Sequence, residues 1–242
     1  MDPIVAALKN AENSAQLKAA AEIITCDRKY FTTEILNAIL QKQNLIVDVP
    51  SANAVVSFLR EFSRSANFKL LRTAEIRDLI IDVLASKISS GHPVEMLGLT
   101  ICGMVFMNPR AAELYSSRKS FSTILDCFHR ATTAESVREI AMSINDICYY
   151  NSGVNKILND LPVVEAYSAI IPRATTDASV WAISHSIQTL LKNNEPIRND
   201  FGTVAFLERF RSIEKYANAP YADSSFKHVR ELLFSTVVCA AN

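Results

Sequence analysis

Glycine is scarce in this sequence, and that scarcity excludes several classes of site. The 242 residues include five glycines, against about 7% of residues in an average protein. Phosphate-cradling loops, dinucleotide fingerprints and nucleophile elbows all need closely spaced glycines. The chain also has no H-E-x-x-H motif. The glycine-dependent enzyme classes and the common zinc hydrolases are therefore not indicated.

The sequence also lacks an excess of one charge, paired cysteines and long apolar runs. Its 25 Lys and Arg side chains balance 25 Asp and Glu side chains, so no overall field attracts nucleic acid or acidic lipid. Five cysteines without a C-x-x-C pair are typical of reduced thiols. No signal peptide is readable, and no apolar run reaches the roughly 18 residues of a membrane span. We therefore expect a cytoplasmic protein, with the nucleus as the other compartment.

Helical periodicity extends along nearly the whole chain. Hydrophobic residues make up 49% of the sequence, and they recur at intervals of three and four residues between short polar breaks. Alternating runs of β-branched and aromatic residues, which indicate strands, are missing. The sequence therefore predicts an all-α fold with a large buried core.

A repeat of 43 residues emerges when the segments that begin at Val94, Val137 and Val180 are aligned without gaps. Apolar residues then form one helical stripe, in the columns Val94/Val137/Val180, Leu97/Ile140/Ile183, Ile101/Ile144/Ile187, Met104/Ile147/Leu190 and Val105/Cys148/Leu191. A column of small residues permits close approach of a neighbouring backbone: Gly98/Ala141/Ser184. A column of asparagines, which tolerate left-handed or turn geometry, is expected to end the helix: Asn108/Asn151/Asn194.

This pattern resembles the armadillo repeat, a unit of about 40 to 47 residues in which a short first helix and two longer helices stack into a right-handed superhelix. The small residue in the second helix, the asparagine at its end and the apolar third helix carry the resemblance. It implies a right-handed α-solenoid of about five to six repeats, in which each unit buries its stripe only against its neighbours. The third helices are expected at 120–130, 162–171 and 203–216.

A single armadillo-like domain is predicted to cover residues 1–242. Its terminal units are expected to be atypical, because each must cap the core with a different outer face. The predicted units are well-matched repeats at about 92–131, 132–174 and 175–218, degenerate repeats at 14–50 and 51–91, and a capping helix at 224–240.

The armadillo resemblance implies a non-enzymatic scaffold whose third helices line a concave groove for a segment of another protein. When the third helices are aligned by their core columns, the neighbouring residues are expected to project outward as one strip. That strip would run from acidic and imidazole-bearing, through apolar, to basic, which is the layout of an interface. The candidate partner-binding residues are Asp126, His129, Val164, Ile171, Leu207, Arg209 and Arg211.

One departure from the family limits what the resemblance implies. Nuclear-import members present a ladder of Trp and Asn on their third helices. Here the single Trp, Trp181, is predicted to lie in a second helix, and the third helices contain no Asn. Recognition of nuclear signals is therefore not carried over.

Candidate chemistry is sparse. His228 and Glu231 share a helix face, but a di-metal site needs a second such pair. Cys127 and His129 are two residues apart, so they point to different faces of a helix. The third helices carry no repeated amide or stacking residue of the kind that helical-repeat RNA readers use. The sequence therefore predicts no catalytic residue, metal, cofactor, small-molecule substrate or nucleic-acid partner.

Two alternatives to the scaffold stay open. The sequence ends Cys239-Ala240-Ala241-Asn242, which resembles a prenylation box and would make the protein a membrane-associated helical adaptor. Asn is not a usual final residue of such a box, and no polybasic stretch precedes it. The other alternative is an enzyme whose active-site residues are dispersed along the chain.

Overall fold

The structure is a computed structural model that describes residues 2–192 and 194–240, without the side chains of Ser152, Asn155, Cys239 and Ala240. Within these residues all regular structure is helical and no strand occurs, which confirms the all-α prediction. Of the prenylation-like ending, Ala241, Asn242 and the side chains of Cys239 and Ala240 lie outside the described part of the chain. In chain order the helices are α1 Pro3–Lys9, α2 Ser14–Thr25, α3 Thr33–Gln41, α4 Val49–Ser63, α5 Ala74–Asp78, α6 Ala85–Lys87, α7 His92–Val105, α8 Pro109–Leu114, α9 Arg118–Arg130, α10 Ala134–Tyr150, α11 Asn155–Leu158, α12 Val163–Ile170, α13 Asp177–Leu191, α14 Glu195–Phe201, α15 Val204–Arg211 and α16 Pro220–Ala240.

Six helices form a first row in which each packs against the next: α2, α4, α7, α10, α13 and α16. From α4 onward their first residues are Val49, His92, Ala134, Asp177 and Pro220. These positions are 42 or 43 residues apart. One step along the row therefore corresponds to one repeat of the sequence, and the chain is a helical solenoid as predicted.

A second row of helices runs beside the first. The π-helical stretch Leu79–Leu84 and α6 pack against α9, α9 packs against α12, and α12 packs against α15. These last three helices lie where the sequence predicts third helices. The short helices α8, α11 and α14 connect the two rows in the later units.

The sequence specifies where several helices begin. Thr133 and Ser136 form a capping box at the start of α10, and Thr176 and Ser179 form the same box one unit later at the start of α13. In each box the side chain and backbone of the two residues satisfy each other's hydrogen bonds. The same local signal, repeated after 43 residues, therefore sets the same helix start.

The asparagine column follows the ends of the first-row helices, as predicted, because α10 ends directly before Asn151 and α7 and α13 end shortly before Asn108 and Asn194. Asn108, Asn151 and Asn194 have extended backbones with φ of −139°, −143° and −134°, so the left-handed geometry considered for them is wrong. Asn108 and Asn194 instead accept hydrogen bonds from backbone amides at the start of the next helix. Asparagine is favoured at that position because its side chain replaces the missing partner of an amide.

The core runs along the seam between the helices. Every residue of the five apolar columns is buried, with Cys148 the most exposed at 5%. Gly98 of the small-residue column lies where two first-row helices touch, as predicted. A Cβ atom on Gly98 would stand 2.6 Å from the backbone carbonyl carbon of Glu139, so α7 and α10 are in backbone contact there.

A column of basic residues ties each unit to the preceding one. The ammonium groups of Lys42 and Lys87 donate to the backbone oxygens of Ala11 and Ile46, at 2.8 and 2.7 Å. One and two units after Lys87, guanidinium groups make the equivalent bonds: Arg130 to Ala85 and Ile88, and Arg173 to Phe128, His129 and Ala131. These bonds are charge-assisted, and those of Arg130 and Arg173 satisfy carbonyls at the ends of the second-row helices α6 and α9.

Two of the predicted strip residues are buried, which corrects the expectation that they project outward. Ile171 is fully buried and Leu207 is 5% exposed. Ile171 begins the 3-10 turn Ile171–Arg173 after α12, so the α-helical angle used to place it does not apply. Leu207 is on α15, which packs against both α12 and α16, so its buried arc is wider than one stripe.

Candidate binding groove

A continuous depression crosses the first row of helices. It consists of two adjoining cavities, of about 940 Å³ over α4 and α7 and about 560 Å³ over α10 and α13. The two cavities share Cys102, Arg138 and Asp146 as lining residues, so they form one groove. The groove therefore lies on the row that the sequence analysis identified as second helices.

Three columns of the 43-residue repeat supply seven of the residues that line the groove: Glu95, Leu99, Gly103, Arg138, Met142, Asp146 and Trp181. They sit one, five and nine residues after each Val of the first apolar column, so they share a helix face turned away from the core. Their chemistry changes from unit to unit, in the sets Glu95/Arg138/Trp181, Leu99/Met142/His185 and Gly103/Asp146/Thr189. This change at fixed columns is the sequence signal for the groove, and it is visible only in columns that do not repeat one residue type.

The end of the groove over α13 is aromatic. Trp181 stacks on His185, with ring centroids 5.3 Å apart and ring planes 10° from parallel. Tyr221, at the start of α16, meets Trp181 edge to face at 6.3 Å. Burial lowers the pKa of His185, which favours the neutral imidazole. Trp181, Tyr221 and Met142 line the cavity and give a wall suited to an aliphatic stem or a flat group.

The middle of the groove holds two buried carboxylates of α10. Glu139 is 6% exposed and is paired with the neighbouring Arg138. Asp146 is 8% exposed and accepts a hydrogen bond of 3.0 Å from Asn145, which in turn accepts one of 2.7 Å from Thr189. Burial raises the pKa of both carboxyl groups, that of Asp146 to about 6.

The end over α4 and α7 is basic at its rim. Arg60 pairs with Glu61, and Arg64 lies 4.0 Å from the same carboxylate. Arg72 lies over the ring of Phe68 at 4.7 Å and donates to the backbone oxygen of Phe106 at 3.2 Å. In the described part of the chain its Nε atom is buried without a hydrogen-bond partner.

Two exposed apolar side chains border this basic end. Phe106 and Met107 are 57% and 74% exposed. Met107 has a φ of 51°, a left-handed conformation that is uncommon for a residue with a side chain and costs about 1–2 kcal/mol. That conformation ends α7 sharply and leaves both side chains at the mouth of the groove.

None of the seven residues predicted for partner binding lines this groove. Asp126 and His129 are exposed on α9, and Arg209 and Arg211 are exposed on α15. Arg209 donates to the backbone oxygen of Ser168 on α12. Half-buried Val164 lines a separate depression with Asp160 and Asp200. With Ile171 and Leu207 buried, the strip keeps its charged ends but loses most of its apolar centre.

The described residues form neither a metal-binding cluster nor a membrane-spanning helix. No group of three or more His, Cys, Asp and Glu side chains is placed to hold a metal ion in residues 2–192 and 194–240. Across the same residues no helix is long and apolar enough to cross a membrane.

Comparison with known proteins gives a structural likeness. No family model matches the chain, and no curated protein sequence matches it. Among solved structures, a designed armadillo repeat protein matches 95% of this chain over 98% of its own length, with a TM-score of 0.61 and 12% sequence identity. At that identity the likeness concerns the fold.

Proposed function

From the premise that this chain has an armadillo-like repeat fold, we propose that it is a non-enzymatic scaffold that binds a segment of another protein along the groove over α4, α7, α10 and α13. Armadillo-like solenoids commonly serve as interaction scaffolds, because stacked repeats create one extended binding surface. The observation that carries the proposal is the continuity of the groove across four helices.

The dimensions of the groove favour an extended segment. Adjacent packed helices lie about 10 Å apart, so a segment that crosses four helices spans about 30 Å. An extended chain covers that distance with about nine residues, at roughly 3.3 Å per residue. The wall offers apolar contacts at Leu99, Met142 and Trp181, with charged groups between them, which suits side chains that alternate along a strand.

The test is selection of binders from a displayed library of random ten-residue peptides, followed by mapping with two matched variants. Leu99 lines the groove and Val164 lies on the other row, and both are half-buried aliphatic residues on helices. We expect Leu99→Arg to abolish capture of the selected peptides and Val164→Arg to leave it unchanged, with circular dichroism confirming that both variants fold.

The same experiment tests the surface strip on the second row. A double charge reversal, Arg209→Glu with Arg211→Glu, should leave capture and thermal stability unchanged, because exposed charges contribute little to folding. If this variant or Val164→Arg loses the peptides while Leu99→Arg keeps them, the binding surface lies on the second row and the groove proposal is wrong.

The proposal includes a cytoplasmic or nuclear location. The four cysteines whose side chains are described, Cys26, Cys102, Cys127 and Cys148, are free thiols. Free thiols in a chain with this many cysteines are typical of a reducing compartment. Fractionation of the source cells, followed by detection of the native protein, checks this part of the proposal.

A further inference from the structure

Asp146 is a buried carboxylate without a cation. Among the residues that the structure describes, no Lys, Arg or His side chain pairs with it. Its neighbours are Asn145, the thiol of Cys102 and the carboxylate of Glu139. The nearby guanidinium of Arg138 is bound to Glu139. Burying a carboxylate without an opposite charge is unfavourable, so a cation brought by a ligand would relieve a cost that the free protein carries.

The cavity beside Asp146 is shaped for such a cation. Met142, Ala178 and Trp181 provide apolar lining, and Tyr221 adds a second aromatic ring at the edge. The aliphatic stem of a lysine or arginine packs favourably on such surfaces, and its charged head is attracted by the face of an indole ring. A neutral or acidic side chain in the same cavity would not offset the cost of burying the Asp146 carboxylate.

The other end of the groove has the opposite preference. Arg64 is exposed and lies at the limit of ion-pair distance from a carboxylate that already binds Arg60. Arg72 forms no ion pair with a described residue, and its Nε atom is buried without a partner. Arginine binds carboxylates through two parallel hydrogen bonds, so this rim suits an acidic side chain of the ligand.

The two ends are separated by a fixed distance. The arginines lie over α4 and α7, and the cavity beside Asp146 lies over α10 and α13, which is two helix steps, or about 20 Å. An extended chain covers this distance in about six residues. We infer that the groove, if it binds a peptide as proposed above, selects an extended segment with a Lys or Arg that enters the cavity beside Asp146 and an Asp or Glu about six residues away that meets Arg64 and Arg72.

Selection from the same random peptide library tests this inference. Peptides selected on the wild-type protein should be enriched in Lys or Arg at one position and in Asp or Glu about six positions away. Selection on Asp146→Asn should lose the basic preference and keep the acidic one. Selection on Arg64→Gln with Arg72→Gln should do the reverse. Asp126→Asn, an exposed carboxylate on the second row, is the matched control and should keep both preferences.

One synthetic peptide from the selected pool then gives the size of the effect. Because Trp181 is the single Trp of the chain and lines the cavity, its fluorescence reports occupancy directly. We expect Asp146→Asn to weaken the dissociation constant of this peptide at least tenfold. With a second peptide in which the basic residue is replaced by Met, the same variant should have less than a twofold effect. Such a cycle isolates the pairwise interaction.

The outcomes separate the inference from the proposed function. Peptides that depend on Leu99 but show no charge preference, or that lose less than twofold in affinity when their basic residue becomes Met, overturn the inference and leave the scaffold proposal standing. Peptides whose capture is insensitive to Leu99→Arg overturn the scaffold proposal. Asp146→Asn is expected to fold, since it removes a buried charge and keeps the side-chain shape, and circular dichroism verifies this.

Discussion

Replacement of Gly98 by alanine tests the backbone contact between α7 and α10. A Cβ at this position would stand 2.6 Å from the carbonyl carbon of Glu139 and 2.7 Å from its oxygen. Ordinary van der Waals contact begins near about 3.4 Å, so the helices must separate by nearly 1 Å. The clashing atoms belong to the backbone of α10, which is packed between α7 and α13. Backbone atoms cannot relieve the clash by a change of rotamer, as a side chain can.

The expected loss follows from two opposing effects. Overpacking of a well-filled contact costs about 1–3 kcal/mol, and more where backbone must move. The substitution also stabilises α7 by up to about 1 kcal/mol, because alanine is more favourable than glycine inside a helix. We therefore expect a net destabilisation of about 2 kcal/mol, which for a chain of this size lowers the melting temperature by about 4–8 °C.

Gly103 is the matched control on the same helix. Its added Cβ would lie 3.2 Å from the Cβ of Ser63, a side chain on the groove surface, so Gly103→Ala should be neutral or stabilising. Urea unfolding followed by circular dichroism and by Trp181 fluorescence measures both variants. If Gly98→Ala is as stable as Gly103→Ala, α7 and α10 are not in backbone contact and the stacking of the first row is wrong.

Three further predictions address other contacts of the fold. Ala141→Leu adds volume at a fully buried position and should destabilise by about 1–3 kcal/mol in urea unfolding, and a melting temperature within a degree of wild type would place residue 141 on the surface. Arg173→Met keeps the stem but removes bonds to three carbonyls, so we expect a loss of about 2–3 kcal/mol, whereas exposed Arg110→Met should change little. Burial raises the pKa of Asp146 from 3.8 to about 6, so the fold is favoured below pH 4 and loses that contribution as pH rises through 6. Asp146→Asn should therefore be more stable than wild type by about 3 kcal/mol at pH 7.5, with the gain disappearing near pH 4, and a difference independent of pH would contradict the burial of this carboxylate.

The sequence was sufficient to predict the repeat because stacking makes the same demand in every unit. Val94, Val137 and Val180 occupy equivalent places between two neighbouring helices, so each must be apolar. Gly98 must be small because the backbone of α10 approaches there. Such demands repeat every 43 residues, and one sequence contains several copies to compare.

The groove was not predicted because helix packing does not require the same residue type at its positions in every unit. One column of the repeat, for example, holds an acidic, a basic and an aromatic residue: Glu95, Arg138 and Trp181. Such a column has no repeated residue type by which it could be recognised. The burial of Ile171 was missed for a different reason. Where the chain changes from α to 3-10 geometry, each residue turns further around the helix axis, so α-helical spacing misplaces the side chain of Ile171.

The column of basic residues that contains Arg130 and Arg173 also determines how many residues the solenoid can gain or lose. Arg173 binds the backbone oxygens of Phe128 and Ala131, and Arg130 binds those of Ala85 and Ile88, which lie 43 residues earlier. If residues 89–131 were deleted, Arg130 would be lost and Arg173 would take its place beside the backbone oxygens of Ala85 and Ile88. If the same segment were duplicated, the added copy would bring both a second Arg130 and the carbonyls that such an arginine binds. A deletion that is not a whole number of repeats places the guanidinium away from these carbonyls. The number of residues in the array can therefore change only by whole repeats if these hydrogen bonds are to be kept.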